Sequence, residues 1–158
     1  MYRNMSKLIF SLVLCQLVGI IGGLFTAASV RTWYLTLNKP PFNPPNWIFG
    51  PMWITLYLLM GIAFFMVWTT DSPGKAKQIA MIFFFIQLAI NMAWSFLFFY
   101  LKSPVLGLID IIALLVFILL TIWKFFPVNR AAGYLMLPYL LWVGFAAILN
   151  YSIWTLNN

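Results

Sequence analysis

Residues 105–126, VLGLIDIIALLVFILLTIWKFF, carry a single acid, Asp110, and a single base, Lys124, in an otherwise apolar run. A helix rising 1.5 Å per residue needs about 20 such residues to cross the hydrocarbon core of a bilayer. Working outward, segments 6–29, 47–70, 77–101 and 131–155 have the same character. Five spans account for about three quarters of the 158 residues, of which 65% are hydrophobic and 20% aromatic. A mean hydropathy of +1.00 lies outside the range of soluble globular chains. The expectation is an all-α fold, an integral membrane bundle of five transmembrane helices forming one domain over residues 1–158.

The breaks between spans have local causes. Residues 30–46 contain Pro40, Pro41, Pro44 and Pro45, a density that no helix interior tolerates. Asp71-Ser72-Pro73-Gly74 is a turn signal, Lys102-Ser103-Pro104 parts the third span from the fourth, and Pro127 to Arg130 parts the fourth from the fifth. The first span follows Arg3 and Lys7 and ends near Thr26-Ala27-Ala28, as a cleavable signal would. The run from Leu8 to Val30 exceeds a signal core, so an uncleaved first helix is expected.

Charge limits function further. The net +7 reflects nine Lys and Arg against two acids, Asp71 and Asp110. The bases are dispersed among loops, so no nucleic-acid stripe is present. With an odd number of spans, one side of the membrane holds Arg3, Lys7, Lys75, Lys77, Lys124 and Arg130; the other holds Arg31, Lys39 and Lys102. The positive-inside rule then places the N-terminus in the cytoplasm and the first loop outside. His and Glu are absent, which removes the commonest general bases and metal ligand, and no metal site is expected. The lone Cys15 sits within the first span and forms no intrachain disulfide.

Tryptophan position divides the eight indoles. Trp33, Trp47, Trp68, Trp123 and Trp154 fall near span ends, where anchoring at the headgroup level explains them. Trp53, Trp94 and Trp142 lie inside spans and need a packing partner or a ligand for the indole N–H. Helical spacing places Trp53, Tyr57, Met60 and Phe64 on one face of the second span, and Asn91, Trp94, Ser95 and Phe98 on one face of the third. Pro138, Trp142, Phe145, Ala146 and Leu149 line the fifth, with Asn150 at its edge. Pro138 has no N–H for the carbonyl of Tyr134, so a kink is expected there. Asn91 and Asn150 either orient a ligand or tie helices together. Asp110, close to Pro104, is read as a structural acid within reach of Lys102 or Arg31. Gly19 and Gly23 form a small-residue pair suited to a helix seam. A stiff aromatic loop over these stripes would act as a lid over a pocket for a flat, largely apolar ligand.

Several dispersed motifs resemble the translocator protein/tryptophan-rich sensory protein (TspO/MBR) family. They are Trp33-Tyr34, Leu37, Lys39-Pro40, Phe42 and Pro44-Pro45 in the first loop, and Phe49-Gly50-Pro51-Met52-Trp53 with Leu56-Tyr57 in the second span. Gln87, Asn91, Trp94-Ser95 and Phe98-Phe99 follow in the third, and Asp110 in the fourth. Pro138-Tyr139, Trp142, Phe145-Ala146 and Asn150-Tyr151 complete the match in the fifth. The resemblance covers nearly the whole chain and is closest to bacterial-type members, which implies a bacterial cell membrane. It implies a commonly dimeric five-helix bundle that binds porphyrins and other hydrophobic ligands beneath the first loop.

The residues assigned to ligand binding are Trp33, Tyr34, Pro44, Trp53, Tyr57, Asn91, Trp94, Ser95, Pro138, Trp142, Phe145, Ala146 and Asn150. Some bacterial members are reported to degrade protoporphyrin in light, and the tryptophans associated with that chemistry match Trp53 and Trp142. A sterol-linked pattern of animal members is incomplete here, because no Lys or Arg follows Tyr151. A sterol is therefore less expected than a tetrapyrrole of the protoporphyrin IX type, bound as free ligand with no cofactor required. Arg31 or Lys39 would meet its propionates. The leading function is a membrane receptor or sensor for tetrapyrroles. The alternatives are a light- and oxygen-dependent porphyrin-degrading enzyme and a facilitated transporter, since no intramembrane Glu is available for proton coupling. Lipid and a second copy of the chain are the expected macroscopic partners.

Overall fold

The computed structural model describes residues 2–72 and 74–158, and only the backbone of Tyr2 and Arg3. Pro73 of the expected turn, and the Arg3 side chain in the charge balance, lie outside the described residues. The described chain is helical and contains no strand. The helices are α1 (Tyr2–Val30), a single turn α2 (Trp33–Thr36), α3 (Asn46–Thr69), α4 (Gly74–Ser95), α5 (Pro104–Phe125), α6 (Arg130–Leu135) and α7 (Leu137–Leu156). Five segments are long and apolar enough to cross a bilayer: α1, α3, α4 with the turn that follows it, α5, and α6 joined to α7. In hydrocarbon the backbone must satisfy its own polar groups, which is why the loops sit at the ends of spans and not within them.

Side chains close the helix ends. Ser103 precedes α5 and its hydroxyl accepts from Leu106 N at 3.3 Å, with Pro104 in the first turn, where its missing N–H is no loss. Lys102 just before it takes a left-handed conformation (φ 53°), which turns the chain sharply out of the third span. Asn129 caps α6 by accepting from Ala132 N at 3.1 Å, and its amide donates to Thr70 Oγ1 at 3.0 Å, pinning the start of α6 to the end of α3. The kink expected at Pro138 is a break two residues earlier, at Met136. The helix stops at Leu135, Met136 N bonds back to Gly133 O at 3.2 Å, and α7 restarts with Pro138 in its first turn.

The third span ends in a π-helical turn, Phe96–Tyr100, in which Leu101 N reaches Phe96 O at 2.9 Å. Such wide turns shift the register of the side chains that follow and recur at functional sites. Here the turn brings Phe98 and Phe99, both buried, inward against Tyr34, Leu149 and Ile153. A larger aromatic and aliphatic core fills the opposite half of the bundle, where Phe64 stacks on Phe84 at 4.8 Å and Phe84 on Phe125 at 5.9 Å. Ile9, Val13, Leu17, Ile109, Ile112 and Val116 are at least half exposed and form lipid-facing surface on α1 and α5.

Of the tryptophans near span ends, Trp47 (73% exposed) and Trp123 (63%) project outward as anchors do. Trp33 and Trp68 instead pack inward, the first edge-on to Phe98 at 5.7 Å, the second between Phe10 and Phe64 beneath Lys7 Nζ. Asp110 Oδ2 is buried without a hydrogen-bond partner, so the pairing expected with Lys102 or Arg31 is not made through that oxygen.

Glycines set how closely α1 and α3 approach. A Cβ on Gly61 would stand 3.1 Å from Leu12 Cα and 3.1 Å from Ser11 O, backbone atoms that cannot step aside. Gly61→Leu is therefore expected to lower thermal stability by about 1–3 kcal/mol through overpacking, whereas Gly144→Leu, where an added Cβ meets nothing within 4 Å, leaves the melting temperature nearly unchanged. Thermal unfolding of both variants in detergent checks this.

Candidate functional site

Between α1, α3, the end of α4 and α7 lies a cavity of about 590 Å³, within the usual size of ligand pockets. Its position follows from the packing beneath it. Tyr57 OH donates to Asn91 Oδ1, Asn91 Nδ2 donates to Tyr139 OH at 2.9 Å, and Tyr139 OH donates to Gln87 Oε1 at 3.0 Å. Gln87 Nε2 ends the series on Met60 Sδ at 4.0 Å. This directional series joins α3, α4 and α7 in the buried centre and forms the floor, with Tyr57 and Asn91 on the cavity wall.

A second polar tie stands higher. Trp94 Nε1 donates to Asn150 Oδ1 at 3.2 Å, and Asn150 Nδ2 donates to Pro104 O at 2.8 Å. Both asparagines therefore tie helices together while also facing the cavity. Gly107 makes the second tie possible, since a Cβ there would meet Asn150 Oδ1 and Phe98 at 2.9 Å.

The aromatic wall is built on the same elements. Trp94 stacks on Phe98 at 5.2 Å, Trp53 leans on Tyr57 at 5.6 Å, and Phe49 meets Trp142 edge-on at 5.9 Å. Trp142 Nε1 is buried and has no hydrogen-bond partner. An orphaned N–H costs about 1–3 kcal/mol; the Trp142 ring lines the cavity, but its N–H has no accessible surface there, so the ring offers a face and not a free donor. Arg31 also lines the cavity, whereas Lys39 does not. Lys39 Nζ sits over the Tyr34 ring at 4.7 Å and donates to Leu37 O at 3.2 Å.

Most residues assigned from the sequence converge on this one space: Tyr34, Trp53, Tyr57, Asn91, Trp94, Ser95, Trp142, Ala146 and Asn150 all line it. Trp33, Pro44, Pro138 and Phe145 do not. Trp33 backs Phe98 from outside, Phe145 packs between Trp142 and Phe42, and Pro138 lies a turn below Trp142 at the start of α7. Sequence reasoning missed the wall supplied by α1, including Gln16, Gly19, Gly22 and Thr26. The spacing of Gly19, Gly22 and Gly23 was the available signal. Gly19 receives the Tyr57 ring, 2.6 Å from where a Cβ would stand, and Gly22 faces Ser95 Oγ at 3.0 Å. Gly19 thus packs on α3 within the chain.

The first loop folds over this region. Tyr34 is 4% exposed and its hydroxyl donates to Asn43 Oδ1 at 3.0 Å. Asn38 and Asn157 bond reciprocally: Asn38 N donates to Asn157 Oδ1, and Asn157 Nδ2 to Asn38 O, each at 2.9 Å.

Two outcomes are expected from this geometry. Asn91→Leu orphans the Tyr57 hydroxyl and lowers stability by about 1–3 kcal/mol, and adding Tyr57→Phe recovers part of the loss in thermal unfolding. Burial pushes the Tyr34 hydroxyl from 10.0 up to about 12. The folded protein then keeps a proton that the unfolded chain releases, so this contribution to stability is complete below pH 10 and is lost as pH rises toward 12. Melting temperatures measured across that window are expected to fall more steeply for the wild type than for Tyr34→Phe.

Comparison with known proteins agrees with this architecture. The profile of the TspO/MBR family matches residues 11–155. A tryptophan-rich protein TspO of Archaeoglobus fulgidus is 45% identical over 158 residues, covering 98% of this chain and 99% of its own. A tryptophan-rich sensory protein of Cereibacter sphaeroides is 38% identical over 125 residues, covering 79% and 77%. The translocator protein of Bos taurus is 35% identical over 148 residues, covering 92% and 87%. The match runs through all five membrane-spanning segments and every wall of the cavity, and on these grounds the chain belongs to the TspO/MBR family.

Proposed function

We propose that this membrane protein is a receptor or sensor that binds a tetrapyrrole of the protoporphyrin IX type, or a similarly flat hydrophobic anion, in the cavity beneath the first loop. The observation that carries this reading is an apolar cavity of about 590 Å³ into which Trp53, Trp94, Trp142 and Phe49 all bring aromatic surface, with Arg31 on its lining. Trp53, Trp94, Trp142 and Phe49 offer stacking surface to a large ring system. Arg31 at the rim supplies a positive partner for a carboxylate. The floor gives little in return, because Asn91, Tyr57 and Tyr139 are already bonded to one another. Affinity then comes from apolar burial and stacking, with orientation set by Arg31. The printed names of the relatives, a tryptophan-rich sensory protein and translocator proteins, are compatible with a ligand-responsive membrane protein. In this reading the first loop faces outside and the protein acts as a homodimer.

A second reading has its own observation: Trp53 and Trp142 share one cavity. A bound porphyrin excited by light in the presence of oxygen would meet two oxidisable indoles, and degradation would rest on the ligand's photochemistry.

A protoporphyrin IX titration of the purified protein, read by Trp fluorescence and porphyrin absorbance, separates these. Saturable quenching in darkness is expected, weakened about 5–30-fold in Trp142→Ala for a loss of 1–2 kcal/mol. A stable spectrum in light supports the receptor. A new light-dependent absorbance that disappears in Trp53→Phe/Trp142→Phe moves the enzyme ahead, and absence of saturable binding would falsify both.

A further inference from the structure

Among the described residues, the exposed side of the cavity lies between the membrane-spanning helices α1 and α3. Its exposed lining residues are Ile20, Gly23 and Ala27 on α1, Arg31 just beyond its end, Leu35 on α2, and Asn46, Gly50 and Ile54 on α3. The lining residues of α4, its π-turn and α7 are all buried or half-buried.

The cause is a change in the separation of α1 and α3 along their length. Where Gly61 meets Leu12 the backbones touch, and the Tyr57 ring fills the notch at Gly19. The antiparallel register that sets Leu12 against Gly61 brings Gly23 level with Gly50 and Ala27 level with Asn46. At that height a Cβ added to Gly23 or to Gly50 meets nothing within 4 Å, so neither small face is filled by the other helix. Gln16 Nε2 donating to Ile54 O at 3.0 Å marks the lower end of the gap. Ile54 lies two turns along α3 from Asn46, so the gap descends about 12 Å from the helix ends at the usual 1.5 Å per residue. That depth runs from headgroup level into hydrocarbon, with Arg31 and Asn46 at the upper rim and Ile20 and Ile54 at the lower.

The water-facing route is obstructed by comparison. Passage through the first loop would break the reciprocal Asn38–Asn157 bonds and the Tyr34–Asn43 bond. Sideways passage breaks no described hydrogen bond and moves an apolar body from lipid into an apolar space.

We propose that the gap between α1 and α3 is a lateral doorway, through which an anionic amphiphile dissolved in the loop-side leaflet slides into the cavity. Its charged end stays with Arg31 at headgroup level while its apolar body passes between Gly23 and Gly50. The identity of that amphiphile rests on the tetrapyrrole reading; the doorway itself does not.

The test uses the full chain in lipid vesicles, with two probes. Phospholipids brominated on their acyl chains quench indoles they touch, and the share due to Trp53 is read by difference against Trp53→Phe. Protoporphyrin IX dissolved in the vesicle membrane then gives association rates from stopped-flow quenching in darkness. Brominated chains are expected to quench Trp53 in the wild type and to lose this effect in Gly23→Phe/Gly50→Phe, for which the open space allows folding, checked by the melting temperature. Porphyrin association is expected to slow at least about tenfold in the same variant and to be unchanged in Asn157→Ala, which frees the loop. Trp53 shielded from brominated chains in the wild type, or association accelerated by Asn157→Ala and indifferent to the glycine pair, would overturn the doorway. Quenching of Trp53 without any porphyrin binding would support the doorway and remove the tetrapyrrole from it.

Discussion

The series of bonds from Tyr57 through Asn91 and Tyr139 to Gln87 is the constraint on which the rest of the structure depends. Four polar side chains in the middle of a bilayer would each carry a desolvation penalty if left alone. Linked head to tail, they satisfy one another and fix three helices at a common height. The distance between α3 and α7 at that height sets the width of the space above. Apolar packing alone would not specify it, because lipid tails compete equally well for Leu and Phe.

Above this floor the bundle trades packing for space. The break at Met136 and the π-turn at Phe96–Tyr100 both depart from regular helix, and both lie on elements that wall the cavity. The first lets α7 restart at its own angle with Trp142, Ala146, Leu149 and Ile153 toward the cavity. The second rotates Phe98 and Phe99 inward to support Tyr34 and the first loop. Ser29 Oγ donates to Phe99 O at 2.7 Å, so the wide turn is also held from α1. The irregular backbone thus sits where protein surrounds it, as membrane interiors require.

Sequence reading reached the five-helix architecture because apolar run length is a coarse quantity that a bilayer enforces directly. The polar and aromatic stripe of α4 was equally plain, since Asn91, Trp94, Ser95 and Phe98 follow helical spacing and all four line the cavity. The fifth span was harder. A kink was expected at Pro138, but the break falls at Met136 and leaves Pro138 off the cavity wall, and Phe145 falls to the side of the face bearing Trp142 and Ala146. The contribution of α1 was harder to read for a different reason: its signal was the spacing of Gly19, Gly22 and Gly23, and small residues mark a close approach without saying whether a helix, a second chain or a cavity lies there. Trp68 shows the limit of positional rules, for it lies near a span end yet packs inward under Lys7.

The bonds between Asn38 and Asn157 join residues 119 positions apart. Such a contact forms only after every intervening helix has been inserted and docked, and long-range closures of this kind come late in assembly. Until then the first loop has no fastening at its far end, and a partly assembled bundle exposes its aromatic interior to both water and lipid. Protection of the Asn38 amide is thus a marker of completed assembly, reported from one end of a chain by the other.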